Sequence, residues 1–212
     1  MVLNIKRWMP LWVALWLLIP TVAAQETIFT NMDGIPQSRM LDGFSWIHQG
    51  TNRCSAAAMT IHLSYYQDVS VETYNDLARS KLNTFGADAS VRIEEMAAEA
   101  EARGLNAIVR RGGTVDLMRQ LVAAGFPVLV ENSYYEGSDL YRDWLSHNRV
   151  LIGYDDATQM FSFQDPLLGY PAGENVTYSY DDFDVRWKPF VRDYMVIYTD
   201  EQESALQAVL GN

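Results

Sequence analysis

Cys54-Ser55-Ala56-Ala57-Ala58-Met59-Thr60-Ile61-His62-Leu63-Ser64-Tyr65-Tyr66 contains three successive alanines, bulky apolar side chains and neither glycine nor proline. Such a run propagates a helix at low cost, and its small and apolar side chains suit a buried one. The chain's single cysteine therefore falls in the first turn of a buried helix over 54–66. Downstream, Ser70 is placed to cap a second helix at 71–83. A third, at 91–103, lies between Ser90 and Gly104, and a fourth, at 115–124, between Thr114 and Gly125.

Beyond Gly125 the pattern changes. Residues 126–131 form a short apolar run that reads as a strand. Residues 132–144 are polar and aromatic and read as a surface loop. Residues 149–154 read as a strand, Asp155-Asp156 as a turn, and 160–164 as the returning strand of a hairpin. Pro166 ends it, because proline cannot donate to an interior ladder. Residues 194–198 give a last strand and 201–210 a short terminal helix. Helices followed by antiparallel strands predict an α+β domain, with the N-terminal helical half packed on one side of a C-terminal antiparallel sheet.

Upstream, Lys6 and Arg7 precede an almost wholly apolar stretch at 8–20, and Val22-Ala23-Ala24 follows. A basic start, an apolar core and a small-residue end are the layout of a secretory signal peptide over 1–24. The apolar run is shorter than the roughly 20 residues of a membrane span. The expectation is an exported protein (secreted, periplasmic or cell-surface) with no stable membrane insertion after cleavage. Residues 25–43 read as an irregular lead-in, and 44–210 as the domain.

Composition narrows the function. The chain has 212 residues, 49% hydrophobic and 20% charged, which suits one globular domain. Sixteen basic against 27 acidic residues give a charge of -11. With no basic run, a nucleic-acid partner is not expected. One cysteine excludes an internal disulfide framework and a multi-cysteine zinc site, and three histidines leave little for a metal site. In an exported protein such a cysteine is a small buried hydrophobe, an intermolecular link or a thiol with a task.

The polar residues around Cys54 favour the task. A helix N-terminus, with Arg53 beside it, favours thiolate over thiol. Gln49 lies in the turn-like Gln49-Gly-Thr-Asn-Arg53 and offers an amide to an oxyanion. His147 sits just before a strand and Asp165 at the end of the next, so a hairpin brings them together. Cys54, His147, Asp165 and Gln49 thus supply a nucleophile, a base, a group to orient the base, and an oxyanion donor, which is the papain-type set.

The block Trp46-Ile-His-Gln49-Gly-Thr-Asn52-Arg-Cys54-Ser-Ala-Ala-Ala-Met59 with Leu63-Ser-Tyr-Tyr66 resembles the nucleophile block of the papain-like peptidases of cysteine-peptidase family thirty-nine. Gly125-Phe-Pro-Val128, His147-Asn-Arg-Val-Leu-Ile-Gly153-Tyr-Asp155 and Phe163-Gln-Asp165-Pro166 with Gly169 are similar to its base and acid block. Tyr180-Asp-Asp-Phe183-Asp-Val-Arg-Trp187 onward resembles the closing segment of exported relatives. The similarity spans about 44–210. It implies a papain-like fold, thiol hydrolysis of a peptide or protein substrate, and no metal or organic cofactor. Two departures stand out. Ser55-Ala56 replaces the family's usual Gly-Pro after the cysteine, and Gln49 lies five rather than six residues before it. The sequence carries no transporter domain, so coupled processing and export of a leader is not expected. The alternative is a catalytically inactive exported binding module on the same fold.

Other residues compete for roles. His62, at i+8 from Cys54, is too far along the helix to reach the sulfur, and His48 could line the cleft. Asn52 could brace the turn before Cys54. Asp181, Asp182 and Asp184 lack the spacing of a calcium loop and read as solvated or capping residues. Tyr134, Tyr135, Tyr141 and Trp144 are candidates for a substrate groove or a self-packed loop. Asn175-Val-Thr177 matches the glycosylation triplet, a pattern frequent by chance.

Overall fold

The structure is a computed structural model, and it describes residues 34–85, 91–134 and 145–211. The proposed signal segment, Ser90, Tyr135, Tyr141 and Trp144 lie outside the described residues.

Strand β1 is Ser38–Met40, followed by helices α1 Cys54–Ser64, α2 Val71–Phe85 and α3 Ile93–Glu101. Then come β2 Asn106–Arg110, α4 Val115–Ala123, β3 Val128–Ser133, β4 Ser146–Asp155 and β5 Met160–Gln164. The chain closes with β6 Val176–Ser179, α5 Tyr180–Trp187, β7 Tyr194–Tyr198 and α6 Glu203–Leu210. The strands form one antiparallel sheet in the order β2-β7-β3-β4-β5-β6, with β1 paired to β4.

Local signals explain most boundaries. Ser70 Oγ accepts from the Glu72 amide at 3.1 Å, and Thr114 Oγ1 from the Leu117 amide at 3.1 Å. Each satisfies an N–H that the first helical turn leaves unpaired. Elsewhere the structure departs from the sequence reading. The lead-in contributes β1, and β2, β6 and α5 were not expected. Asp181 and Asp182 occupy the first turn of α5, which Ser179 caps through the Asp182 amide at 3.1 Å. Carboxylates there complement the helix dipole, in line with the capping role. β4 begins at Ser146 rather than 149, so His147 lies within the strand and not just before it.

Helices α1, α2 and α3 cover one face of the sheet, as expected. Ala56, Ala58, Met59, Ile61 and Leu63 of α1 pack there against Leu129, Val150, Ile152, Met195 and Ile197. The other face is covered too. Met118, Leu121, Phe183, Trp187 and Leu206, from α4, α5 and α6, pack against Val128, Val130, Leu151, Phe161, Phe163 and Val196. Two cores thus clamp β3, β4 and β7, and the N-terminus of α1 meets the polar beginning of β4. Among the described residues, no helix is long and apolar enough to cross a membrane.

Candidate active site

The site forms where α1 begins. Arg53 closes a turn through its amide to the Gly50 carbonyl at 3.2 Å, and Asn52 takes the left-handed conformation (φ 54°). That turn is braced from α2, where Tyr74 Oη accepts from the Gly50 amide at 2.6 Å. Cys54 then opens the helix, partly exposed and unpaired. No side chain caps this N-terminus and no acidic residue occupies its first turn. The partial positive charge of the helix end is therefore left facing the sulfur.

His147 and Asp165 arrive from the sheet. β3 and β4 pair as far as Ser133 opposite Ser146, and this carries His147 into the strand opposite Asn132. Asp165 follows β5. His147 Nε2 donates to Asp165 Oδ1 at 2.7 Å, which leaves Nδ1 as the ring nitrogen for the thiol. Both residues are buried, at 3% and 1% exposed. Asp165 is held from two further directions. Arg149 Nε donates to its Oδ2 at 2.6 Å and the Leu167 amide to its Oδ1 at 2.9 Å. Arg149, itself buried, also donates to Asn132 Oδ1 at 2.6 Å and lies 5.1 Å from the Tyr178 ring centre.

These contacts set the charges. Burial pushes the Asp165 carboxyl up, but His147, Arg149 and the Leu167 amide outweigh it and hold the carboxyl well below the usual range. Burial pushes the His147 imidazole down, yet hydrogen bonds to Asp165 and Cys54 raise its proton affinity above the ordinary value. Burial also pushes the Cys54 thiol up. The hydrogen bond and charge of His147, with donation from the Asn148 main chain and side chain, reverse this and lower it to about 7.

Gln49 is positioned through its main chain. Its amide donates to the Pro166 carbonyl at 2.8 Å, so the turn before Cys54 is fastened to the residue after Asp165. Its Oε1 is buried without a hydrogen-bond partner among the described residues. Gly173 keeps the two loops close, because a Cβ there would lie 2.8 Å from Trp46 Nε1 and 2.4 Å from the Asp165 carbonyl. His48 stacks on Trp46 at 5.7 Å, and its Nε2 lies 3.2 Å from the Leu167 carbonyl. His62 is fully buried, with Nε2 3.1 Å from the Pro127 carbonyl and its basicity pushed down to about 3 by burial. Tyr134, of the proposed groove residues, lies edge-on to His147 at 5.7 Å.

The sequence reading missed three residues. Asn148 Nδ2 lies 3.6 Å from Cys54 Sγ and 3.2 Å from Ser55 Oγ. Ser55, the departure after the cysteine, is thus engaged by Asn148. Arg149 and Asn132 support Asp165 from behind. The signal available was the run Ser146-His-Asn-Arg149, polar where an interior strand is ordinarily apolar. Among the described residues, no group of three His, Cys, Asp or Glu is arranged to hold a metal ion.

A cysteine at a helix start, facing a histidine and an aspartate on an antiparallel sheet, defines the papain-like cysteine proteinase fold. Solved structures agree on the fold. A putative C39-like peptidase from Bacillus anthracis matches with a TM-score of 0.60 and 17% identity, covering 76% of this chain and 98% of that one. A double glycine motif protease from an AMS/PCAT transporter, solved with its leader peptide, matches at 0.52 and 17%, covering 76% and 98%. Xylellain, a cysteine protease from Xylella fastidiosa, matches at 0.50 and 12%, covering 79% and 87%. No curated protein matches the sequence significantly. The model of the Peptidase_C39 like family matches residues 38–195, and the chain belongs to that family.

Proposed function

We propose that the chain is an exported cysteine peptidase in which Cys54, His147 and Asp165 act as a triad and Gln49 as an oxyanion donor. The observation that carries the reading is the unbroken set of contacts from Asp165 through His147 to a thiol drawn down to about 7. Cys54 Sγ attacks the scissile carbonyl carbon, and the developing oxyanion is held by the Gln49 side-chain NH2 and the Cys54 N–H. His147 protonates the leaving amine as the C–N bond breaks, giving an acyl-enzyme. It then takes a proton from water, whose oxygen attacks the acyl carbon and releases the acid and the thiolate. Asp165 keeps the imidazole oriented and favours its protonated form. Asn148 steadies the thiolate without joining the proton transfers. The reaction requires no metal or organic cofactor, and the substrate is a peptide or protein. Export rests on residues 1–24, and the acidic surface disfavours nucleic acid.

The test is incubation of residues 25–212 with a complex peptide library and mass-spectrometric mapping of the products. The proposal expects new termini that form with the wild-type protein and are absent with Cys54→Ala. Product sets that are the same for both would leave the fold without this activity and favour the binding module.

A further inference from the structure

On the α1–α3 face, a row of polar residues runs sideways from the thiol across the sheet. Asn148 shares its face with Val150 and Ile152, Glu131 with Leu129, and Asp193 with Met195, all of them apolar members of that core. Glu131 is the direct register partner of Asn148, and Val130 pairs with Tyr194, which sets Asp193 beside Glu131. Arg110 pairs with Tyr194 from the other side, so Arg111 follows Asp193 in the row. Glu94 of α3 closes over it and pairs with Arg111 at 3.1 Å.

Among the described residues, the row sets three carboxylates, Glu94, Glu131 and Asp193, against one guanidinium, that of Arg111, which pairs with Glu94 and acts on Asp193. Asp193 is only 7% exposed, and its Oδ1 is buried without a hydrogen-bond partner among the described residues. Its carboxyl is pushed up to about 7, first by burial and then by the charge of Glu131. Glu131 is raised by burial and by Glu94, against a hydrogen bond to Ser146. A carboxylate left in this state is costly and gains strongly from a cation that reaches it. The Arg111 and Glu94 side chains are 66% and 49% exposed, so the row opens to solvent at that end.

We propose that Glu131 and Asp193 form a cation subsite of the substrate cleft, which binds the ammonium or guanidinium group of a substrate residue close to the scissile bond. The inference rests on the peptidase reading and extends it to a substrate class. Strands are spaced by about 4.8 Å, so Glu131 and Asp193 lie roughly 5 and 10 Å across the sheet from Asn148. Those offsets suit a long basic side chain on a residue one or two positions from the carbonyl that Cys54 attacks. The pair stands off to the side of the thiol, beyond Asn148 in the row, and acts on binding alone.

The test uses peptidyl fluoromethyl ketones that alkylate Cys54, read by intact mass. Lys, norleucine or Glu is placed at each of the first three positions from the warhead, with the N-terminus either acetylated or free. At one position Lys should label on the order of tenfold faster than norleucine, with Glu slowest. Glu131→Gln and Asp193→Asn should each reduce that preference, and Arg111→Gln should increase it. The iodoacetamide rate of each variant gives its intrinsic thiol reactivity, and the peptide rates are compared after division by it. Equal rates for Lys and norleucine at every position, or a preference that survives in both Glu131→Gln and Asp193→Asn, would overturn the subsite. A gain from the free N-terminus with none from Lys would overturn the side-chain assignment and give the row to a substrate α-amine. Should iodoacetamide itself react only as an ordinary thiol would require, the peptidase reading fails first and this inference falls with it. Arg111→Gln, at an exposed position, keeps the test valid where a buried substitution fails to fold.

Discussion

Two histidines of this chain are buried to nearly the same degree and behave in opposite ways. His62, in the last turn of α1, has apolar neighbours and the Pro127 carbonyl, and burial drives its basicity down to about 3. His147, in β4, is as deeply enclosed, yet Asp165 and Cys54 raise its affinity for a proton. Burial alone therefore makes a histidine inert. A buried carboxylate kept ionised by Arg149 makes one basic. The base of the site is thus a product of its supports, and those supports can be removed one at a time.

Asp165→Asn should have the largest effect, since it takes from His147 what His62 never had. It also leaves the buried Arg149 without its carboxylate, at a cost of about 3–5 kcal/mol, measurable as a fall in urea stability at pH 7. Turnover of any peptide found by library mapping should fall by about 10⁴, as expected when the base loses its orienting carboxylate.

His62 gives the next effect, through pH. Its folded value lies below its unfolded one, so the unfolded chain binds the extra proton and stability falls as pH drops below about 6.5. His147, raised in the folded state, contributes fully below 6.5 and loses that contribution as pH rises, so the two histidines separate on the pH axis. Between pH 6.5 and 5 His62 removes roughly 2 kcal/mol of unfolding free energy, while Asp193, raised to about 7, acts in the opposite direction. His62→Gln, which keeps a donor for the Pro127 carbonyl, should remove the first contribution alone and so tilt the slope toward greater stability at low pH. An unchanged slope would mean that His62 is not held neutral.

Asn148→Ala should have the smallest effect. It removes side-chain donation to the thiolate but leaves the Asn148 main chain and His147. Alkylation of Cys54 at pH 6 should fall about two- to threefold, the scale of one modest hydrogen bond. A fall as large as that of His147→Ala would make Asn148 the principal stabiliser of the thiolate.

How legible the site was in the sequence follows from the same contrast. Cys54 was readable because a run of alanine and apolar residues marks a helix whose start is plain. The 160–164 and 194–198 strands were readable because both are short, mostly apolar runs with clear ends, and 160–164 alternates. β4 was cut short because Ser146, His147, Asn148 and Arg149 break the apolar pattern. The last three are buried all the same, since each face of the strand supplies polar partners: Asp165 and Asn132 on one, Ser55 and Cys54 on the other. Arg149 was legible only as the first residue of a strand, because its partner Asp165 is sixteen residues away in sequence. α5 was hidden by Asp181, Asp182 and Asp184, which suggest a solvated loop until Ser179 is recognised as a cap.

Whether His147 holds Cys54 as a thiolate is read directly from the iodoacetamide rate against pH for the wild type and His147→Ala. The wild-type rate should titrate near 7, and His147→Ala should move that titration toward 9. At pH 6 the wild type should be about tenfold faster, because the gain in thiolate exceeds the loss in intrinsic nucleophilicity. Above pH 9 the order should reverse. A wild-type titration near 9 that His147→Ala leaves in place would mean that His147 does not hold Cys54 as a thiolate.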